Sequence, residues 1–169
     1  MSEITLRDVT KEDLSVFFEE QLDQEANFMA AFTSKNPNDK DAFMKHWTTV
    51  LSDKGVRIQT IVLSDGQVAG HVARYIDPEF GKIEVTYWIG KKHWGKGIGT
   101  TALSIFLRSI ERARPIYARV ASDNKRSVRV LEKCGFRVIS KQKSFANARH
   151  REVEELIMEL NTPSDTSLA

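Results

Sequence analysis

Cysteine is almost absent: Cys134 is the only one among 169 residues. That excludes an internal disulfide and a thiolate metal site, and it fits a reducing compartment. The four histidines, His46, His71, His93 and His150, are scattered without ligand spacing, so no metal is expected. No apolar run reaches the roughly 18 residues needed to span a bilayer, and the opening stretch MSEITLRDVTKED lacks the apolar centre of a signal peptide. The expectation is a cytoplasmic protein with no membrane role. An excess of one charge is also missing, since 25 Lys and Arg face 23 Asp and Glu. Such a balance lacks the footprint of a nucleic-acid binder.

What is present is a chain of one-domain size, 41% hydrophobic, with clear periodicities. Residues 4–7 alternate as a short strand, and TKED at 10–13 reads as a helix start with Thr10 as N-cap and Asp13 at the capping-box position. Leu14, Phe17, Phe18, Leu22, Ala26, Met29 and Phe32 then recur at helical steps, leaving Glu19, Glu20, Asp23 and Glu25 towards water. A second helix is expected over 41–51. VRIQTIVL, VAGHVARYI and IEVTYWIG follow, separated by the turns SDGQ and DPEFGK, and read as an antiparallel meander. Ile98, Ala102, Ile105, Phe106, Ile110 and Ala113 give another helix, closed by Pro115. IYARVAS is a strand, 124–133 a helix ending at Gly135, and 136–139 and 152–160 the last strands. The expected architecture is a mixed α/β fold, a mostly antiparallel sheet flanked by helices in the order βααβββαβαββ. Residues 1–160 form one domain in this reading, and 161–169 a flexible C-terminal tail.

The informative stretch is WIGKKHWGKGIGTT, with Gly95, Gly97 and Gly99 between an apolar strand and a helix. Backbone N–H groups at a helix start, unobstructed by side chains, form an anion site favoured by the helix dipole. Glycines also serve left-handed turns and close packing, so the turn alone is weak. Two nucleotide motifs fail in detail. GKKHWGKG has P-loop spacing but ends in Gly97 where Ser or Thr must ligate Mg²⁺, which disfavours an NTPase. The glycines run G-x-G-x-G instead of G-x-G-x-x-G, and the region of Arg119 offers no carboxylate for a ribose, which disfavours a dinucleotide site.

The block HWGKGIGTTAL, followed by VASDNKRSVRVLEKCGF, resembles the GCN5-related N-acetyltransferase superfamily, in which acetyl-CoA pyrophosphate sits on a Q/R-x-x-G-x-G/A turn. Trp94 stands where that turn has Gln or Arg. With IEVTYWIG and SVRVLEKCGF, the sequence is most similar to the RimJ/RimL-type ribosomal-protein branch. The resemblance implies an acyl-CoA N-acyltransferase fold, acetyl-CoA as co-substrate and an amine acceptor. It places the diphosphate on Trp94, Gly95, Lys96, Gly97, Ile98, Gly99 and Thr100, and Asn124 beside the pantetheine arm. Asn124 is equally suited to cap the helix that follows it. Lys125, Arg126 and Arg129 are candidates for the 3′-phosphate, with a solvated helix surface as the bland account.

For chemistry, the resemblance points to Glu84 as the base that frees the amine, a role that requires partial burial or an intervening water because an ordinary carboxylate is a poor base. Many superfamily members protonate the CoA thiolate with a tyrosine at the place of Leu131. Leucine cannot do this, so the candidates are Ser127 and water, with a plain helix role for the serine equally open, Tyr87 as a minor alternative, and a CoA-binding module without turnover as the rival reading. Cys134, at a helix C-terminus, is read as structural. The first acceptor choice is a protein N-terminal α-amine. The runner-up is a small amine such as a polyamine, an amino acid or an aminoglycoside. The assembly is expected to be a monomer or homodimer.

Overall fold

A computed structural model describes residues 3–161. The expected tail therefore lies outside the described residues apart from Asn161. The first strand, β1 (Ile4–Asp8), is followed by three helices, α1 (Lys11–Glu20), α2 (Gln24–Ala30) and α3 (Lys40–Ser52). The meander consists of β2 (Arg57–Leu63), β3 (Val68–Ile76) and β4 (Ile83–Ile89). Then come α4 (Ile98–Ser109), β5 (Ile116–Ala121), α5 (Lys125–Lys133), β6 (Arg137–Ala146) and β7 (Arg151–Leu160).

The expected order is right except near its start, where the first long helix is two. Its apolar spacing continues through residue 32, but Gln21 caps the first segment and donates from Nε2 to the carbonyls of Phe18 and Pro37. Asp23 then restarts the helix by accepting from the Ala26 amide at 2.8 Å. Side-chain competition for backbone groups thus overrides the periodicity. The fourth helix also ends earlier than its spacing implies, at Ile110, because Glu111 turns in to pair with Arg74. The sixth strand runs well past the expected residue 139.

The seven strands form one sheet in the order β1-β2-β3-β4-β5-β7-β6. All neighbours are antiparallel except β4 and β5, which run parallel and share one registered pair, Glu84 with Tyr117. Beyond it the two strands part. Alternation sorts the side chains onto two faces. Val72, Val85, Ala118, Val120, Leu156 and Met158 face α4 and α5, where Leu103, Phe106 and Leu107 complete a dry core. On the other face α1 and α3 bring Leu14, Phe17 and Trp47 against Ile58 and Val68.

That second face is also polar. Asp13 accepts both arms of the Arg7 guanidinium at 2.7 and 3.0 Å, the Thr60 hydroxyl at 2.8 Å and the Thr10 amide at 2.8 Å. Burial opposes the charge, but these donors outweigh it and hold the carboxyl at about 2. Glu20 is a correction, since its carboxylate oxygens do not face water. They are buried against Gly90 with no hydrogen-bond partner, and burial, partly offset by Lys92, pushes the acid up to about 7.

Candidate active site

The glycine turn sits at the mouth of the gap between β4 and β5. Gly95 and Gly97 have φ of 78° and 75°, and a Cβ at either would project into open space. The left-handed backbone, not crowding, is what requires glycine there. Gly99 differs: a Cβ there would meet Tyr87, Ile89 and Val130 at 3.6–3.7 Å, so it sets the approach of the helix to the sheet. The first intrahelical bond of α4 runs from the Thr101 amide to the Gly97 carbonyl, which leaves the preceding amides of the first turn without intrahelical partners.

These amides open onto a cleft of about 600 Å³. Its wall includes Trp94, Gly95, Gly97, Ile98, Gly99 and Thr100 on one side and Asn124, Lys125, Arg126, Ser127, Arg129 and Lys133 on the other. A helix N-terminus faced by cations is a site for a polyanion. Lys96 is exposed and is not on this wall. The Trp94 indole donates to the Ile89 carbonyl at 2.9 Å and carries the Arg126 guanidinium over its ring at 4.4 Å, so tryptophan at this position holds a cation at the cleft by stacking. His93, also on the wall, is buried with both ring nitrogens unpartnered, and burial lowers its pKa. An unpaired imidazole N–H beside a cradle of free amides fits the diphosphate end of coenzyme A, whose oxygens accept.

Asn124 caps α5: its side chain accepts from the Ser127 amide at 3.3 Å and donates to the Met29 carbonyl at 3.2 Å, which ties α5 to α2. Ser127 Oγ and Tyr87 Oη are 2.7 Å apart. Burial pushes the tyrosine up to about 12, so its proton stays in place at neutral pH. Leu131 is buried one turn further along α5. Cys134 is half-buried with its thiol pushed up to about 11 by burial, which leaves it unreactive.

Tyr87, Trp88, Asn124 and Ser127 also line a second chamber of about 320 Å³, which reaches through the gap to the other face. Its wall adds Tyr75, Thr86, Arg119 and Glu155, with Ala30, Phe32 and Thr33 over them. Glu84 is not on that wall. It is 3% exposed, accepts from the Tyr75 hydroxyl at 2.7 Å, and takes the Arg119 Nε at 3.1 and 3.2 Å on its two oxygens. The catalytic candidates therefore separate, with Ser127 at the junction of the two cavities and Glu84 beneath the chamber.

The chamber's roof was not foreseen. Ala31, fully buried, has φ 67° and ψ −57°, and Phe32 donates to the Ala30 carbonyl at 2.7 Å, a strained γ-turn. The β6–β7 connection pins it: the Ala148 amide donates to the Ala31 carbonyl, Asn147 to the Thr33 carbonyl, and Arg149 to the Phe28 carbonyl. Arg149 also makes a two-pronged pair with Asp123 at 2.6 and 2.8 Å. Residues 137–151 hold five Lys and Arg and no carboxylate, and one of these cations, Arg149, is thus a structural clamp. Arg119 had a usable signal, a lone charge in the otherwise apolar IYARVA; Glu155 had only its alternation with Leu156.

Known proteins share this fold. The family model described as "Acetyltransferase (GNAT) domain" matches residues 3–137. The chain is 26% identical over 164 residues, 93% of its length, to the uncharacterized N-acetyltransferase p20 of Bacillus licheniformis, of which 92% is covered. The spermidine N-acetyltransferase of Vibrio cholerae, solved with CoA and spermine, superposes with a TM-score of 0.81 at 20% identity over 98% of both chains. RimJ of Mycobacterium smegmatis, solved with CoA-disulfide, gives 0.79 at 18% identity over 98% of this chain and 87% of its own. With the family model spanning most of the sequence and the cleft fitting its co-substrate, the chain belongs to the GNAT acetyltransferase family, as an acetyl-CoA-dependent N-acetyltransferase.

Proposed function

We propose that the protein moves an acetyl group from acetyl-CoA to the α-amine of a polypeptide N-terminus. The observation that carries this reading is the state of Glu84. A lysine or polyamine nitrogen with pKa near 10.4 requires about 5 kcal/mol to deprotonate at pH 7, whereas an α-amine near 8 requires about 1 kcal/mol. The first task calls for a strong, free base. Glu84 is locked against Arg119 and Tyr75 and lies off the chamber wall, so its oxygens are engaged there and do not meet an incoming ammonium. An acceptor already partly unprotonated suits such a site.

Acetyl-CoA, when bound, supplies the acyl group as a thioester. Trp94, Gly95, Gly97, Ile98, Gly99, Thr100 and Asn124 line its cleft and hold it chiefly through main-chain donors and the helix dipole, with Lys96 beside them on the turn. As the N–C bond forms and the C–S bond breaks, Ser127 Oγ gives a proton to the departing sulfur at the junction and regains the one shed by the acetylated nitrogen through water. The Tyr87 hydroxyl holds the serine in place at 2.7 Å and keeps its own proton. This pair stands in for the tyrosine that Leu131 replaces. Glu84 fixes Arg119 and Tyr75 beneath the chamber, so the wall facing the incoming amine is preorganised.

The test is a competition, read by mass spectrometry, among a peptide with a free N-terminus, an N-blocked peptide with one lysine, and spermidine, each incubated with acetyl-CoA at pH 7.5. Acetylation of the free N-terminus at least tenfold faster than the others is expected. Faster labelling of spermidine, the substrate of the Vibrio cholerae relative, would move the assignment to small polyamines.

A further inference from the structure

We infer that Glu155 holds the ammonium group of the acceptor, and that the chamber thereby selects an amine with no free carboxylate on the neighbouring carbon. The inference rests on the acetyl-transfer reading and names the acceptor chemistry of that same site.

The strand pattern places Glu155. In β7, Leu156, Met158 and Leu160 belong to the dry core, so Glu155 faces the opposite side, across from Ala121 at the end of β5. It is 5% exposed and is the sole carboxylate on the chamber wall among the described residues. Its Oε1 accepts from Gln142 Nε2 at 2.8 Å and Ser144 Oγ at 2.9 Å. Both donors are neutral and both use one oxygen. Among the described residues no donor reaches Oε2. Arg119 Nη1 lies 3.8 Å from the same Oε1, an ion pair beyond hydrogen-bond reach, and Arg119 shares its charge with Glu84, to which its Nε is bonded.

A carboxylate this enclosed, with only neutral hydrogen bonds of its own, lacks a full countercharge. Glu84 and Glu155 together carry two negative charges against the single positive charge of Arg119. One ammonium balances them. The chamber opens at Tyr87, Asn124 and Ser127 onto the acetyl-CoA cleft, so a nitrogen held by Glu155 lies on the path to the junction. A free amino acid would bring a third carboxylate towards Glu84 and Glu155, which already share the one guanidinium of Arg119. A peptide N-terminus, whose neighbouring carbonyl is an amide, brings none.

The experiment compares alaninamide with alanine as acceptors for the wild type, Glu155→Gln and Glu155→Asp. Turnover is followed by thiol release, and direct binding of alaninamide to the CoA-loaded protein is followed by calorimetry. The wild type should prefer the amide at least tenfold in kcat/KM. In Glu155→Gln the KM and Kd for alaninamide should each rise at least tenfold, kcat should change less, and the preference over alanine should shrink. Affinity for CoA should be unchanged, the melting temperature should not fall, and Glu155→Asp should keep the preference with an intermediate KM. Unchanged KM and Kd in Glu155→Gln, or a wild type indifferent between amide and acid, would overturn the inference while leaving acetyl transfer intact. Binding of alaninamide that depends on Glu155 without any turnover would uphold the inference and sink the reaction reading instead.

Discussion

The two faces of the sheet are held by different physics. Under α4 and α5 the core is dry and continuous, and the glycine turn that serves the cofactor cleft is a single local stretch, residues 94–100. Under α1 to α3 the face is laced with polar groups from distant parts of the chain: Asp13 with Arg7 and Thr60, an unpartnered Glu20, and the Tyr75–Glu84–Arg119 cluster. In the proposed reading the cofactor is met by main chain in one place and the acceptor by side chains from β3, β4, β5 and β7. On that reading, binding of the common co-substrate persists through much side-chain change, whereas acceptor choice shifts with single residues.

The largest break in this contrast is Gly97→Val. A β-branched residue at φ 75° is strained, and the methyls would enter the cleft. CoA affinity should fall about 100-fold, near 3 kcal/mol, by titration calorimetry, and the strain should lower the melting temperature as well. Asp13→Ala attacks the other face. It removes a carboxylate at about 2 that serves three donors, and should lower the unfolding free energy by about 2–3 kcal/mol at pH 7 in urea titrations while CoA affinity is retained. The sign follows from the lowered pKa: this stability is present above about 3.8 and lost as pH falls towards 2, so wild type and variant should converge in acid. Glu20→Gln goes the opposite way and is the smallest effect. Its folded pKa of about 7 lies above the ordinary 4.5, so ionisation penalises the folded state from about pH 4.5 upward. The amide should raise stability by roughly 1 kcal/mol at pH 8, after discounting for its partial exposure, and by nothing at pH 4.

What could be read from the sequence divides along the same line. The strands of the meander, the capping role of Asp13, the left-handed Gly135 and the turn at Gly95 and Gly97 are local patterns, and local patterns appear in sequence. The break between α1 and α2 was hidden because apolar spacing continues across it, while the deciding bonds come from Gln21 to Pro37, 16 residues away. Glu84 could be placed on its strand but not paired, since Arg119 lies 35 residues on and meets it only through the parallel bridge between β4 and β5. Glu155 depends on strand order as well, being brought to the chamber because β7, not β6, lies beside β5. Glu20 misled for a simpler reason: in a helix of acidic residues nothing local marks the one whose oxygens are covered by the loop at Gly90.

The most direct measurement is amide hydrogen exchange with and without CoA. Slowed exchange should appear at residues 98–100 and 124–127, where free main-chain amides and the α5 start face the cleft, with no change at residues 75, 84 and 119 on the far side of the gap. Protection concentrated around Tyr75, Glu84 and Arg119, with residues 98–100 exchanging as before, would contradict the division of the site between main-chain cofactor cradle and side-chain acceptor chamber.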